Sequence, residues 1–259
     1  MVVSRSVTLI NRRTLLAAAA VVVPAYARAQ SDIPSASRLN LPGWHNRHMR
    51  ILARVANQRF DLLLLGDSIM QELQRGSPDP RQNVVSVWDR YYAPRNALDL
   101  GFAGDACPNL LWRIQNGEVA NQSPRLAIVL IGSNDAGPPW HWGPEQTVRG
   151  VLANVAAARA AMPNTPVLVL GLLPSQARDD DKIAINRLLT AQAWTPLAAT
   201  FLDAGRVLRG RDGRIDPSLY LDPLLTPPHL ALHPNAQGWA LVAAAIEPTV
   251  AWLFGDALR

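Results

Sequence analysis

The sequence predicts an α/β fold in which a parallel sheet carries helices on both faces. Three observations predict it. Short, nearly continuous apolar runs recur along the chain, as strands covered on both faces require. Longer amphipathic stretches separate them, and strand–helix alternation of this kind makes a parallel sheet through crossover connections. Glycines at 66, 101, 132 and 171 follow four of the runs, where the chain must turn from strand to loop.

Taken in order, Ser31–Pro42 is an unstructured lead-in and His45–Gln58 is the first helix. A strand at Asp61–Leu65 follows, then a helix at Val84–Tyr91 and a strand at Ala97–Leu100. Helices at Pro108–Gly117 and Pro144–Ala161 each begin with a proline, which the first helical turn tolerates. The strand Leu126–Ile131 lies between them, and Val167–Leu170 comes next. The helix Asp179–Ala193 opens on three aspartates, which complement the helix dipole; a calcium role has no ligand spacing behind it. The strand Thr200–Leu202 and the helix Ala236–Phe254 complete the set. No internal repeat, low-complexity tract or linker interrupts the alternation, so residues 30–259 read as a single domain.

Composition excludes several classes. At 259 residues, 49% hydrophobic and 17% charged, the chain is too apolar and too weakly charged to be disordered. The single cysteine, Cys107, allows no internal disulfide, and no Cys/His group has zinc-site spacing. Beyond the N-terminal region there is no 18-residue apolar run, so stable membrane insertion is not expected. The net charge of +5 rests largely on Arg5, Arg12, Arg13 and Arg28. Without those four, 21 of the 25 basic residues face 20 acidic ones, a balance that gives no reason to expect a nucleic-acid partner. Lys182 is the sole lysine.

The four arginines mark an address. Arg12 and Arg13 precede the apolar stretch Leu15–Val23, and Ala27-Arg28-Ala29 supplies a small-residue cleavage site. Nine apolar residues reach only about 14 Å as a helix, too short to span a bilayer. Residues 1–29 are therefore expected to be a signal peptide of twin-arginine type, with the mature chain periplasmic or secreted.

In a parallel sheet, ligands bind where the strands end. The first such loop is Gly66-Asp67-Ser68-Ile69, which places a hydroxyl at a helix start; an ordinary N-cap would look the same. The second, Gly101-Phe102-Ala103-Gly104-Asp105, offers backbone N–H groups or merely a turn. The third, Gly132-Ser133-Asn134-Asp135, offers a side-chain amide able to meet an oxyanion, or again a turn. Late in the chain His233 precedes the last helix, where it could serve as a base or simply pack. Trp140 and Trp142 could wall a pocket or pack a long loop. No Gly-x-Gly-x-x-Gly or P-loop motif is present, and no cofactor is expected.

In this order the four blocks resemble those of the SGNH (GDSL-type) hydrolase superfamily. The stretch Gly101–Asp105, continuing Asn109-Leu110-Leu111-Trp112-Arg113-Ile114-Gln115-Asn116-Gly117-Glu118, is similar to the second block of the catalytic subunits of intracellular platelet-activating-factor acetylhydrolase and bacterial esterases like them. Val169–Pro174 and the Asp212-Gly213 turn add to the likeness, which runs from about residue 62 to about residue 252. The resemblance implies a three-layer α/β/α, flavodoxin-like fold and metal-free hydrolysis of acetyl or other short acyl esters, on O-acetylated carbohydrate or a lipid-derived alcohol. It makes Ser68 the nucleophile and His233 the base. It makes the backbone N–H groups of Ser68 and Gly104 and the Asn134 amide the oxyanion hole. Relatives of this kind occur as monomers or homodimers.

One position departs from the pattern. The superfamily usually has Asp three residues before the histidine, and here Leu230 stands there. Asp222, eleven residues upstream of His233, can take its place if the intervening residues loop out. Asp216 or a backbone carbonyl are the alternatives. Should none serve, the chain would be a weak or inactive ligand-binding protein on a hydrolase scaffold.

Overall fold

The structure, a computed structural model, describes residues 32–225 and 230–259. The expected signal peptide lies outside the described residues.

Five runs of four or five residues form the strands: β1 (Leu62–Gly66), β2 (Ala97–Gly101), β3 (Leu126–Leu130), β4 (Val167–Leu170) and β5 (Ala199–Leu202). Every residue of β1 to β4 is buried, as their unbroken apolar character requires. The strands pair in parallel in the order β2-β1-β3-β4-β5. β5, at one edge, is the partly exposed strand.

The helices are α1 (Pro42–Asn57), α2 (Ser68–Gln71), α3 (Val85–Tyr91), α4 (Cys107–Gln115), α5 (Pro144–Ala161), α6 (Asp179–Thr190), α7 (Asp222–Leu225) and α8 (Ala236–Phe254). They flank the sheet in two sets. α5 packs between α4 and α6, while α8 packs on α3. Asn235 caps α8 by accepting from the Gly238 N–H at 3.0 Å. Helices α5 and α8 have the expected bounds. Strand β4 does as well, and the other expected elements shift by one to three residues at one or both ends, as fraying ends do.

The lead-in differs from expectation. It has no regular structure, yet it is pinned to α4. Ala36 donates to the Pro108 carbonyl and accepts from the Asn109 amide, while the Ser35 hydroxyl donates to Gln115. Ile33 joins the core. The first aspartate of α6 likewise does more than complement the helix dipole, since Asp179 takes both ends of the Arg209 guanidinium at 2.7 and 2.9 Å.

Candidate active site

The first three loops meet because their backbones almost touch. Phe102 N–H donates to the Gly66 carbonyl at 3.1 Å, and Ala103 N–H donates to the Gln71 side chain at 2.8 Å. A β-carbon on Gly101 would lie 2.3 Å from the Gln71 nitrogen, so only glycine lets β2 approach α2 this closely.

Ser68 is the first residue of α2. Asp67 caps that helix, its carboxylate accepting from the Ile69 N–H at 2.9 Å. This cap is fully buried, and burial raises its pKa to about 6 against the pull of the Ile69 N–H and of the nearby His233 and Lys182 charges. Among the described residues the Ser68 backbone N–H donates to nothing. The same holds for Gly104, which sits at φ +77 in the left-handed region. From the third loop, Asn134 gives one amide hydrogen to the Asp105 carbonyl at 2.8 Å. Its second hydrogen is left for another acceptor. Each of the three loops thus carries an N–H donor without an acceptor among the described residues.

His233 reaches this group from the far end of the chain. Its Nε2 lies 2.9 Å from Ser68 Oγ, and its Nδ1 lies 2.8 Å from Asp222 Oδ1. The other carboxylate oxygen of Asp222 accepts from the backbone N–H groups of Leu232 at 2.8 Å and His233 at 2.7 Å. The residues beside Asp222 and those beside His233 pair directly. Leu221 N–H donates to the His233 carbonyl at 2.7 Å, and Tyr220 bridges Pro234 in antiparallel fashion. That closure brings an acid eleven residues away in sequence onto the imidazole, while Leu230 points to solvent, 59% exposed. Asp216 instead caps a short turn through the Ser218 N–H.

The electrostatics follow from those contacts. Burial opposes ionisation of Asp222, but His233 and the two backbone donors outweigh it and bring its pKa down to about 2. Burial likewise opposes a charged His233, and Asp222 again wins, so the imidazole titrates above its usual value. An imidazole held through Nδ1–H on a permanent carboxylate presents a bare Nε2 to the serine hydroxyl, the arrangement that lets a serine lose its proton during attack.

A cavity of about 440 Å³ opens beside the donors. Gly104, Asn134, Trp140, Pro138 and, from the lead-in, Arg38 are among its walls. Trp140 therefore faces the cavity, whereas Trp142 is buried against Gly150 of α5. Arg38 donates to the Ala103 carbonyl at 3.0 Å.

Sequence reasoning assigned no role to the support beneath the loops. Arg113 of α4 is 1% exposed and donates to the Gly66 carbonyl, the Leu100 carbonyl, Asp105 and Glu118 at 2.6 to 3.0 Å. Glu118 also holds His48, and Asp105 also accepts from Trp44 at 2.7 Å. One guanidinium thus ties the residue two before Ser68 to the residue after Gly104. The signal was the block containing Asp105, Arg113 and Glu118: charges set in an apolar helix pattern, which are buried only when paired.

Comparison with known proteins gives a consistent picture. A model of the GDSL-like lipase/acylhydrolase family matches residues 64–241. Bovine platelet-activating factor acetylhydrolase IB subunit alpha1 is 29% identical over 177 residues, covering 66% of this chain and 70% of the bovine protein. Two solved structures share the fold. A carbohydrate acetylesterase family member from Sinorhizobium meliloti has TM-score 0.55 and 18% identity, covering 75% of this chain and 98% of its own. A GDSL-like lipase from Bacteroides thetaiotaomicron has TM-score 0.54 and 15% identity, covering 82% and 97%.

Proposed function

The chain belongs to the GDSL-like lipase/acylhydrolase family, and from that premise we propose that it is an exported serine esterase acting on acetyl or other short acyl esters. The observation that carries the reading is the unbroken line Asp222–His233–Ser68, with contacts of 2.8 and 2.9 Å.

Ser68 Oγ attacks the ester carbonyl as His233 Nε2 takes its proton. The carbonyl oxygen, now an anion, accepts from Ser68 N–H, Gly104 N–H and the Asn134 amide. Donors of this kind, fixed on the protein before the reaction, stabilise the developing charge without reorganisation. The tetrahedral intermediate collapses to an acyl-serine, and His233 gives its proton to the departing alcohol. Water then repeats the sequence, losing a proton to His233 and releasing the acid. Asp222 stays ionised throughout, holding the imidazole and favouring its charged form.

Short acyl groups fit the likeness to acetylhydrolase and acetylesterase relatives. The cavity with Trp140 on one side suits the alcohol of an O-acetylated carbohydrate or a lipid-derived ester. Export rests on residues 1–29, and a monomer or homodimer is the expected state.

The test is hydrolysis of p-nitrophenyl acetate, butyrate and octanoate by wild type and Ser68→Ala. Turnover that falls with chain length and vanishes in the variant is the expected result. An inert wild type whose Ser68 also resists an organophosphonate would overturn the proposal.

A further inference from the structure

A second cavity, of about 350 Å³, lies on the other side of the sheet's carboxyl edge, where the loops after β4 and β5 meet α6. Its walls include Lys182, Arg187, Arg206, Asn186 and Asp203. None of these belongs to the acyl-transfer machinery.

Lys182 is the unusual member. It is the sole lysine of the chain and is 5% exposed. A buried ammonium is normally neutralised by a carboxylate. Here it donates to the Ser175 hydroxyl at 2.7 Å, and that hydroxyl passes its own hydrogen to the Ala177 carbonyl. Among the described residues no carboxylate oxygen comes within 4.0 Å of it. An ammonium carries three donors, so two are left unused. Burial lowers its pKa to about 8, the more distant Asp67 and Asp179 charges only partly compensating.

The surrounding charges have the same sign. The guanidiniums of Arg187 and Arg206 make no hydrogen bond or ion pair among the described residues, and both side chains are exposed. Arg209, also on the wall, is already committed to Asp179. Asp203 is the acid of the lining, and it accepts from the Asn186 amide and the Gly205 N–H. Setting Arg209 against Asp179 leaves Lys182, Arg187 and Arg206 against Asp203, a positive excess in a concave site.

We propose that this cavity binds an oxyanion group, a phosphate or carboxylate, between the Lys182 ammonium and the Arg187 and Arg206 guanidiniums. The anion supplies the counter-charge that the buried lysine lacks, and the planar guanidiniums offer the paired donors that such groups accept. The proposal is independent of esterase activity.

The single lysine makes the test direct. The full chain is grown with lysine carrying ¹³C at Cε, so one side-chain resonance reports on the cavity without assignment. Inorganic phosphate and galacturonic acid trimer are titrated in turn. A saturable shift of the Lys182 resonance is expected, with its titration midpoint moving to higher pH as ligand fills the site. Arg187→Gln with Arg206→Gln, both at exposed positions, should weaken binding by at least about ten-fold while leaving p-nitrophenyl acetate hydrolysis unchanged. Ser68→Ala should bind as wild type does. Response to phosphate alone identifies a small free anion as ligand; response to the trimer, displaced by phosphate, identifies an acidic group on a saccharide. No saturable shift with either probe, or an equal shift in the double arginine variant, overturns the proposal.

Discussion

Asp222→Asn is the sharpest perturbation of the proposed machinery, because the replacement is isosteric and its consequences can be worked from the contacts. Asp222 accepts three hydrogen bonds, one from the imidazole and two from backbone N–H groups. An asparagine has one acceptor oxygen and one donor nitrogen. With the oxygen on the backbone pair, the NH₂ faces Nδ1, which must then be bare, and the ring proton moves to Nε2. That nitrogen now donates to Ser68 and cannot take its proton. With the amide flipped, the tautomer is right, but two backbone donors face an NH₂ at a cost of roughly 1–3 kcal/mol each. A total of about 2–6 kcal/mol corresponds to roughly 30- to 10⁴-fold in rate, the upper end being the loss of about 10⁴ that a wrong tautomer produces in serine hydrolases. The assay is kcat on p-nitrophenyl acetate against pH. Wild-type activity should rise as His233 loses its proton, with a midpoint above the ordinary histidine value near 6.5. The variant should retain at most about 3% of the activity, and its midpoint should move to lower pH once the carboxylate is gone. A variant with near-normal kcat and an unmoved midpoint would refute the role assigned to Asp222.

Other perturbations test neighbouring parts. Asn134→Ala removes one donor from the developing oxyanion and should cost about 10²–10³ in kcat with KM little changed; a loss confined to KM would place Asn134 in substrate binding instead. Gly104→Ala sets a β-carbon 2.8 Å from Arg38 on a residue at φ +77, so activity should fall together with stability, the latter by roughly 1–2 kcal/mol in urea unfolding; an unaltered enzyme would mean the loop is soft. Arg113→Met leaves Asp105 and Glu118 buried without their guanidinium and should destabilise by about 3–5 kcal/mol, read as a drop in the denaturant midpoint. Asp222 also couples folding to pH. Its folded pKa of about 2 is below the ordinary 3.8, so its contribution is present above about pH 4 and fades as pH falls toward 2. Because the group is partly solvated, the effect is on the order of 1 kcal/mol; acid unfolding of wild type and Asp222→Asn should converge near pH 2.

What the sequence determined by itself was whatever depends on periodicity and local chemistry. Asp61–Leu65, Leu126–Ile131 and Val167–Leu170 read as strands because a run apolar on both faces has few other places to go. Pro108 and Pro144 marked helix starts because a proline has no N–H to leave free in a first turn. Strand-end loops drew attention to Ser68, Gly104 and Asn134, and each alone read equally well as a cap or a turn; their roles, and that of His233, came from the resemblance of the four blocks taken in order. The tertiary structure decided what depends on the chain meeting itself. Position 230 lacks the usual acid, and nothing local to Leu230 says which of Asp222, Asp216 or a carbonyl replaces it. The antiparallel closure of Leu221 on His233 selects Asp222, and that is a contact across a loop, not a property of any segment. The lead-in read as unstructured because it has no period; its order comes from single hydrogen bonds to α4. Arg113 stands among apolar residues and Lys182 directly after three aspartates, yet neither neighbourhood says what pairs with the buried cation. Only the fold separates them, because burial in a low-dielectric interior demands partners, and it provides carboxylates for Arg113 and a lone hydroxyl for Lys182.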